Sequence, residues 1–309
     1  MPSTTTVILN PASGRGRGAK LLPAIRAAFA VHGVTAVRLT ERPGDEACAV
    51  RDALDAGATT IAIVGGDGTW GRCAAAVLAA GAGDRARLAF LAGGTGNDFA
   101  KNLSAPTRDF GAMAALCTDP SAERRVDAGA VESGGATHYF LNVAGFGFDA
   151  VVLEDTSRGG RLGGNAVYIM AALRRLLGYP GFAYTLGGSD GDGRVAMMLV
   201  FSNGTNFGGA FRIAPKARID DGLLDSIEIG DVQGLARIPL FVSAVRGAHV
   251  MHPKVRATRH AEFRLTFTSA PACDIDGDLV QLADRNVLVR SVEAALRVVA
   301  RKGNGAAAP

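Results

Sequence analysis

Three short apolar runs near the start of the chain each end in a glycine-rich loop that opens a helical pattern, and this arrangement restricts the fold more than any other feature of the sequence. Val7-Ile8-Leu9 leads into Asn10-Pro11-Ala12-Ser13-Gly14-Arg15-Gly16-Arg17-Gly18, after which Leu21, Leu22, Ile25, Ala28 and Phe29 recur at helical spacing. Ile61-Ala62-Ile63-Val64 runs into Gly65-Gly66-Asp67-Gly68-Thr69 and a helix of small residues over 70–80. Leu88-Ala89-Phe90-Leu91 ends at Gly93-Gly94-Thr95-Gly96-Asn97-Asp98, with a helical stretch at 99–103. Between the first two units lie a short strand, 36–39, and a helix over 44–56. Apolar runs without polar alternation suit parallel strands covered on both faces, and alternation with helical patterns predicts crossover connections. Loops that follow parallel strands leave from one carboxyl edge, so these three converge on one crevice. Their N–H groups suit phosphate, and glycine permits an approach that a Cβ would block.

From Asp127 onward the segments become longer, richer in β-branched and aromatic residues, and broken by glycine turns: 138–148, 196–201, 226–229, 262–268 and 286–292. Helical stretches at 166–177 and 232–246 interrupt them, and 187–193 has the composition of a hairpin tip. The fold class expected is α/β: an N-terminal parallel-sheet nucleotide-binding domain over 1–126, then an antiparallel β-sandwich over 127–302, its last segment able to pack back on the first domain, and a tail at 303–309.

Composition excludes several functions. The net charge of +4 is too small for a nucleic-acid footprint, and 6% aromatic residues with one tryptophan argue against base-stacking platforms. Cys48, Cys73, Cys117 and Cys273 form no CxxC pair, which points to reduced thiols rather than zinc or disulfides. His249 and His252 share a helical spacing but have no third ligand, so they read as core or surface residues. The first residues carry no secretory signal, and no apolar run reaches the roughly 18 residues of a membrane span. The expected location is the cytoplasm, with access to the inner membrane face.

The Gly66–Gly71 stretch matches GxGxxG after a strand, yet no acidic residue stands about 20 positions on to hold a ribose, as a dinucleotide fingerprint needs. Gly14 to Lys20 lacks the Walker A spacing. A carboxylate inside a phosphate loop repels the phosphate unless a divalent cation bridges the two, which makes Asp67 and Asp98 candidate metal-side residues. The plain alternative for both is helix N-capping.

The ordered set Asn10-Pro11-Ala12-Ser13-Gly14, Gly65-Gly66-Asp67-Gly68-Thr69, Gly94-Thr95-Gly96-Asn97-Asp98-Phe99-Ala100 and Asp220-Asp221-Gly222-Leu223-Leu224-Asp225 resembles the bacterial diacylglycerol kinase family, relatives of sphingosine and ceramide kinases and, more distantly, NAD kinases. The resemblance implies ATP held against Asn10, Pro11, Ala12, Ser13, Gly14, Thr40, Gly65, Gly66, Asp67, Gly68, Thr69, Trp70, Gly71 and Thr95, with Lys101 adding positive charge. It implies a structural Mg²⁺ on Asp221 and the carbonyls of Arg218 and Leu223, and a catalytic metal supported by Asp67 and Asp98 with Asp220 or Asp221. It places the catalytic base in Asp274-Ile275-Asp276-Gly277-Asp278, where Asp278 stands in place of the family's Glu. The carboxylate is kept but is one methylene shorter, and a displacement of about 1 Å can cost roughly 10²-fold in rate.

The activity implied is ATP- and Mg²⁺-dependent phosphoryl transfer to a lipid alcohol such as diacylglycerol, presented at a membrane surface, without nucleic-acid partners or a transmembrane segment; a homodimer is open. Two alternatives stand beside it: a kinase of a soluble acceptor such as NAD, from the shared GGDGT, and a nucleotide or lipid sensor that lost the base, from Asp278.

Overall fold

The uninterrupted apolar runs become strands in which every residue is buried: β1 (Thr5–Leu9), β3 (Thr60–Gly65) and β4 (Arg87–Ala92). The computed structural model describes residues 4–42, 44–158, 175–187 and 191–301. Two units divide the chain, one of residues 1–128 with 293–309 and one of residues 129–292. The expected tail at 303–309, residues 166–174 of the expected helix and residues 188–190 of the expected hairpin tip lie outside the described residues.

In the first unit β2 (Val37–Leu39), β1, β3 and β4 pair in that order, all parallel, and the end of β15 (Asn286–Val299) adds a parallel strand beside β4 through Arg297 and Val298. Helices α1 (Ser13–Ala30) and α4 (Phe110–Thr118) cover one face, where Ile25, Phe29, Met113 and Cys117 pack on Val7, Leu9, Val64 and Leu91. Helices α2 (Asp45–Asp55) and α3 (Asp67–Ala79) pack against each other and against the sheet, with Trp70 tilted on Phe90 at 5.3 Å between ring centroids. The register sets Leu9 opposite Val64 and Val64 opposite Leu91. Three strands therefore end level, and the loops start from one row. Buried Arg87 ties the start of β4 to the end of α4 by donating to the carbonyls of Cys117 (2.9 Å) and Asp119 (2.7 Å).

The second unit is antiparallel. Strands β5 (Glu123–Ser133) and β6 (Ala136–Phe140) form a hairpin, and β5 carries the chain into this unit. Strand β9 (Asp192–Ser202) pairs along one edge with β7 (Val143–Gly147) and then β8 (Phe182–Leu186), and along the other with β10 (Leu224–Gly230). Beyond β10 lies β11 (Val255–His260); beyond β8 lie β12 (Glu262–Phe267) and the first half of β15; beyond β7 lie β13 (Ala272–Ile275) and β14 (Asp278–Gln281). One core contains Phe146, Phe201, Phe263 and Phe267, and another contains Val143, Val200, Ile213 and Leu240. These layers form the expected sandwich.

Two local expectations change. The segment 138–148 breaks into β6 and β7 because the N–H groups of Leu141, Asn142 and Val143 turn to the carboxylate of Asp276. Its end, Phe148, begins helix α5 (Phe148–Arg158) where strand was expected. The helix expected over 232–246 shortens to α6 (Arg237–Ala244), because Gly234 adopts φ +52 and cannot continue a right-handed turn.

Gly129 faces Phe140 across the β5–β6 pair, and a Cβ there would overlap the ring. Gly129→Val is expected to lower unfolding stability by about 1–3 kcal/mol through overpacking, measured by urea denaturation; a change within error would show that the ring has room to move.

Candidate functional site

The three glycine loops of the first unit are bonded to one another as well as level. Asn10 Nδ2 donates to Thr69 Oγ1 (2.9 Å), joining the first loop to the second, and Asn10 Oδ1 accepts from the Ala12 N–H (2.9 Å). Ser13 Oγ donates to the Asn10 carbonyl (2.8 Å). The Gly65 carbonyl accepts from the N–H groups of Gly93 (2.8 Å) and Gly94 (3.1 Å), joining second to third. Glycine is required for this packing itself: a Cβ on Gly14 would meet the Gly93 carbonyl, and one on Gly66 would stand 3.2 Å from the Gly94 Cα. Gly14, Arg15 and Gly16 all have positive φ (58°, 61° and 86°), so α1 begins with a left-handed turn in which only Arg15 carries a side chain. Thr40 is buried at the neighbouring strand end, its N–H on the Leu9 carbonyl (3.1 Å).

Neither Asp67 nor Asp98 caps its own helix. Asp67 Oδ1 instead accepts from the Phe99 N–H (3.2 Å) and the carboxylate faces the amides of Asp98 and Asn97, which holds the second loop against the third. Burial and then the charge of Asp98 push the Asp67 carboxyl above its ordinary value. Asp98 is buried and pairs with Lys101 Nζ at 2.6 Å. Beside them Asn97, held at φ +49, keeps a buried Oδ1 with no donor while its Nδ2 donates to Gly94 O (3.0 Å). Two neighbouring carboxylates and an unpartnered amide oxygen form a hard oxygen set suited to magnesium. Ala12 and Thr95 are exposed at the loop tips, whereas the Trp70 side chain is wholly buried against Phe90, leaving only its backbone to face a ligand. Phe90 in turn meets Phe99 at 5.5 Å, so an aromatic row underlies the second and third loops. Gly68 and Gly71 lie in the first turns of α3, Gly71 buried.

The second unit carries Asp278 on a hairpin. Ile275 pairs with Asp278, and Asp276 (φ +51) and Gly277 (φ +92) make the two-residue turn between them. Asp278, half-buried, is the first residue of β14. The turn is anchored by two further carboxylates of the same segment. Asp276 accepts from the N–H groups of Leu141 (2.6 Å), Asn142 (2.9 Å) and Val143 (2.9 Å), and Asp274 Oδ1 accepts from the Gly277 N–H (2.7 Å). The available signal was the run of acids at 274, 276 and 278 around Gly277, since Asp next to Gly favours a turn in which a carboxylate caps nearby amides. Asp149, from α5, lies close enough to Asp274 for the two carboxyl groups to interact. Desolvation lifts Asp276 to about 7 against the pull of its three donors, and burial raises Asp149 and Asp274 as well.

The segment 218–223 lies elsewhere in the same unit. Asp221 Oδ1 accepts from the Leu223 N–H (3.2 Å), and its Oδ2 is 3.5 Å from Arg259 Nη1. Arg259 also pairs with Asp225 (3.1 Å) and donates to the Lys216 carbonyl, while Asp220 faces Arg218 at 3.5 Å. Among the described residues no three His, Cys, Asp or Glu side chains gather as metal ligands. Asp221 offers one carboxylate here, and a structural magnesium would have to share it with the Arg259 guanidinium. His249 is buried with a ring nitrogen 3.0 Å from the Ile213 carbonyl, a core residue as read.

An open groove of about 350 Å³ lies beside β7 and α5, lined by Phe146, Ala150, Tyr179, Phe182, Phe267 and Pro271 among others. Its apolar aromatic wall suits an acyl chain.

Asp149, Asp274 and Asp276 all have folded-state values above the unfolded 3.8. The folded state then binds more protons than the unfolded one, so stability is full below 3.8 and declines as pH rises through about 7 and beyond. Denaturation midpoints are expected to fall between pH 6 and pH 9, with a shallower fall in Asp274→Asn; equal slopes would remove this cluster as the cause.

Residues 4–131 match the diacylglycerol kinase catalytic domain family, and residues 142–300 match the YegS C-terminal NAD kinase beta sandwich-like domain family. A probable YegS-like lipid kinase of Chromohalobacter salexigens is 34% identical over 62% of this chain and 60% of its own length, and one of Pseudomonas aeruginosa is 38% identical over 62% and 61%. This chain thus spans about three-fifths of the length of these two relatives. A diacylglycerol kinase of Mycobacterium tuberculosis is 31% identical over 82% of each chain. The crystal structure of a diacylglycerol kinase from Bacillus anthracis has the same fold, with a TM-score of 0.67 at 17% identity over 97% of each chain. With two matched domains in order and a relative aligned along most of its length, the chain belongs to the diacylglycerol kinase and YegS-like lipid kinase family.

Proposed function

We propose that this lipid kinase transfers the γ-phosphoryl group of ATP to the hydroxyl of a diacylglycerol-type lipid, with magnesium. The observation that carries this reading is the interlocked set of three loops, with Asp67 held against the third by its amides. Loops already bonded to each other lose little freedom when phosphates bind, so their N–H groups act as a preorganised anion site. When bound, magnesium offsets the charge of the phosphates; Asp67, Asp98 and the Asn97 amide oxygen are the residues that would hold it. Lys101 keeps Asp98 in place through their ion pair. Asp221 with the carbonyls of Arg218 and Leu223 would hold a second, structural magnesium.

The groove favours a lipid over a soluble acceptor, since Phe146, Phe182, Phe267 and Pro271 offer an acyl chain an apolar wall. In this reading Asp278 accepts the proton of the lipid hydroxyl as the phosphoryl group is transferred. Exposed Leu235, Val242, Val245 and Met251 add apolar surface around α6 for approach to a membrane, and no helix among the described residues is long and apolar enough to cross one. The shorter Asp278 favours one other reading, a nucleotide or lipid sensor without turnover.

Labelled ATP, magnesium and a panel of mixed-micelle lipids test the reading. Asp278→Ala is expected to cost about 10²–10⁴-fold in kcat, and Asp67→Asn at least as much if it holds the metal, each with an unchanged circular dichroism spectrum. Tight ATP binding without any phosphorylated lipid, unrepaired by Asp278→Glu, would leave the sensor; product from NAD alone would make the acceptor soluble. Ala150→Trp, which fills the groove, is expected to raise KM for lipid severalfold and leave KM for ATP unchanged. Equal kinetics for both substrates would place the acyl chain elsewhere.

A further inference from the structure

A buried pair of carboxyl groups lies beneath the Asp276–Gly277 turn. Asp149, in the first turn of α5, and Asp274, on β13, are 7% and 0% exposed. Gly145 on β7 pairs with Asp274 across the ladder, and a Cβ on Gly145 would run into Asp149 Oδ2. The absent side chain opens the slot through which Asp149 reaches the neighbouring strand. The two carboxyl groups interact directly, and a hydrogen bond between them requires a proton on one because ionised carboxylates only accept. Both Oδ2 atoms are buried with no N–H or O–H donor among the described residues, and a shared proton removes that deficit. Asp274 Oδ1 is then committed to the Gly277 N–H at 2.7 Å.

We propose that Asp149 is a positioning residue: by sharing one proton with Asp274 it keeps Asp274 bonded to the Gly277 amide and so fixes the turn from which Asp278 enters β14. The inference rests on the proposed role of Asp278 in phosphoryl transfer. The groups facing the pair are Asp276 and Asp278 on the same hairpin and the buried Cys273 thiol, whose own ionisation burial and the two aspartates suppress. Among the described residues no cation faces the pair in these interactions, so burial and the neighbouring acids resist a second negative charge, and only the Gly277 amide favours one. The same helix supplies Ala150 and Val151 to the aromatic groove, which places the lipid wall and the support of the turn on adjacent residues.

Loss of the shared proton leaves two buried anions in contact, and their repulsion loosens the turn. The full chain is assayed for kcat across pH with diacylglycerol micelles, and the proton is followed by the infrared carbonyl band of protonated carboxyl groups. Asp149→Asn still donates to Asp274 but cannot titrate, so kcat near neutrality stays close to wild type, the alkaline decline disappears and the infrared band loses one carboxyl. Asp149→Ala is expected to lower kcat roughly tenfold to a hundredfold through a misplaced Asp278, with KM for ATP unchanged and faster hydrogen exchange at the Gly277 amide. Unchanged kcat in Asp149→Ala, or an alkaline decline and infrared band unaltered by Asp149→Asn, overturns the proposal. Equal loss of kcat in both variants, with the wild-type pH profile, reduces Asp149 to packing and also overturns it. If Asp149→Ala does not fold, Asp149→Asn decides alone. If wild type phosphorylates no lipid, the lipid-kinase reading fails, while the infrared band and Gly277 exchange still decide the shared proton and the support of the turn.

Discussion

The Gly65 carbonyl accepts two amides of the loop that follows the neighbouring strand, and the nucleotide half of this protein depends on that contact. It forms because Gly65 and Ala92 are paired at the ends of β3 and β4, so the two loops leave the sheet with no offset between them. Their Cα atoms then approach so closely that a side chain on Gly66 or Gly94 would separate them. The glycines that a sequence reader assigns to a ligand are therefore first needed by the protein itself. Loop rigidity and ligand access come from the same residues.

The second unit reaches the same end by other means. Its hairpin is gripped by carboxylates: Asp276 gathers three main-chain amides and Asp274 a fourth. A carboxylate can satisfy several donors at once, but burial makes its charge costly. Burial lifts Asp276 to about 7, and the proposed proton between Asp149 and Asp274 relieves the same cost there. The main-chain contacts between the glycine loops do not titrate, whereas this carboxylate scaffold does.

Much of the fold was legible because burial on both faces leaves an unmistakable trace. The runs at 7–9, 61–64 and 88–91 became β1, β3 and β4, and the change of pattern after Asp127 became an antiparallel sandwich. Helix α5 was hidden because Phe146-Gly147-Phe148 reads as strand, whereas the chain turns into the helix at Gly147, held at φ +89 where a Cβ would meet Phe182 and the Met197 carbonyl. Strand β14 is short and half-exposed, which leaves little periodicity to read. In the site, Asp67 and Asp98 stood out as acids within glycine loops. Asp149 did not, because its partner is remote in sequence and the slot between them is the missing side chain of Gly145.

The order of the glycine loops, the acids inside them and the replacement of a glutamate by Asp278 are local facts, and the sequence alone determined them along with the two-part architecture. Strand register decided that three loops begin from one row and that Asp67 serves the third loop instead of its own helix. The same is true of Trp70, which a motif assigns to the nucleotide and packing turns into the core. A sequence records which groups are available, whereas hydrogen bonds between distant segments and the exclusion of water decide which of them meet, and at what charge.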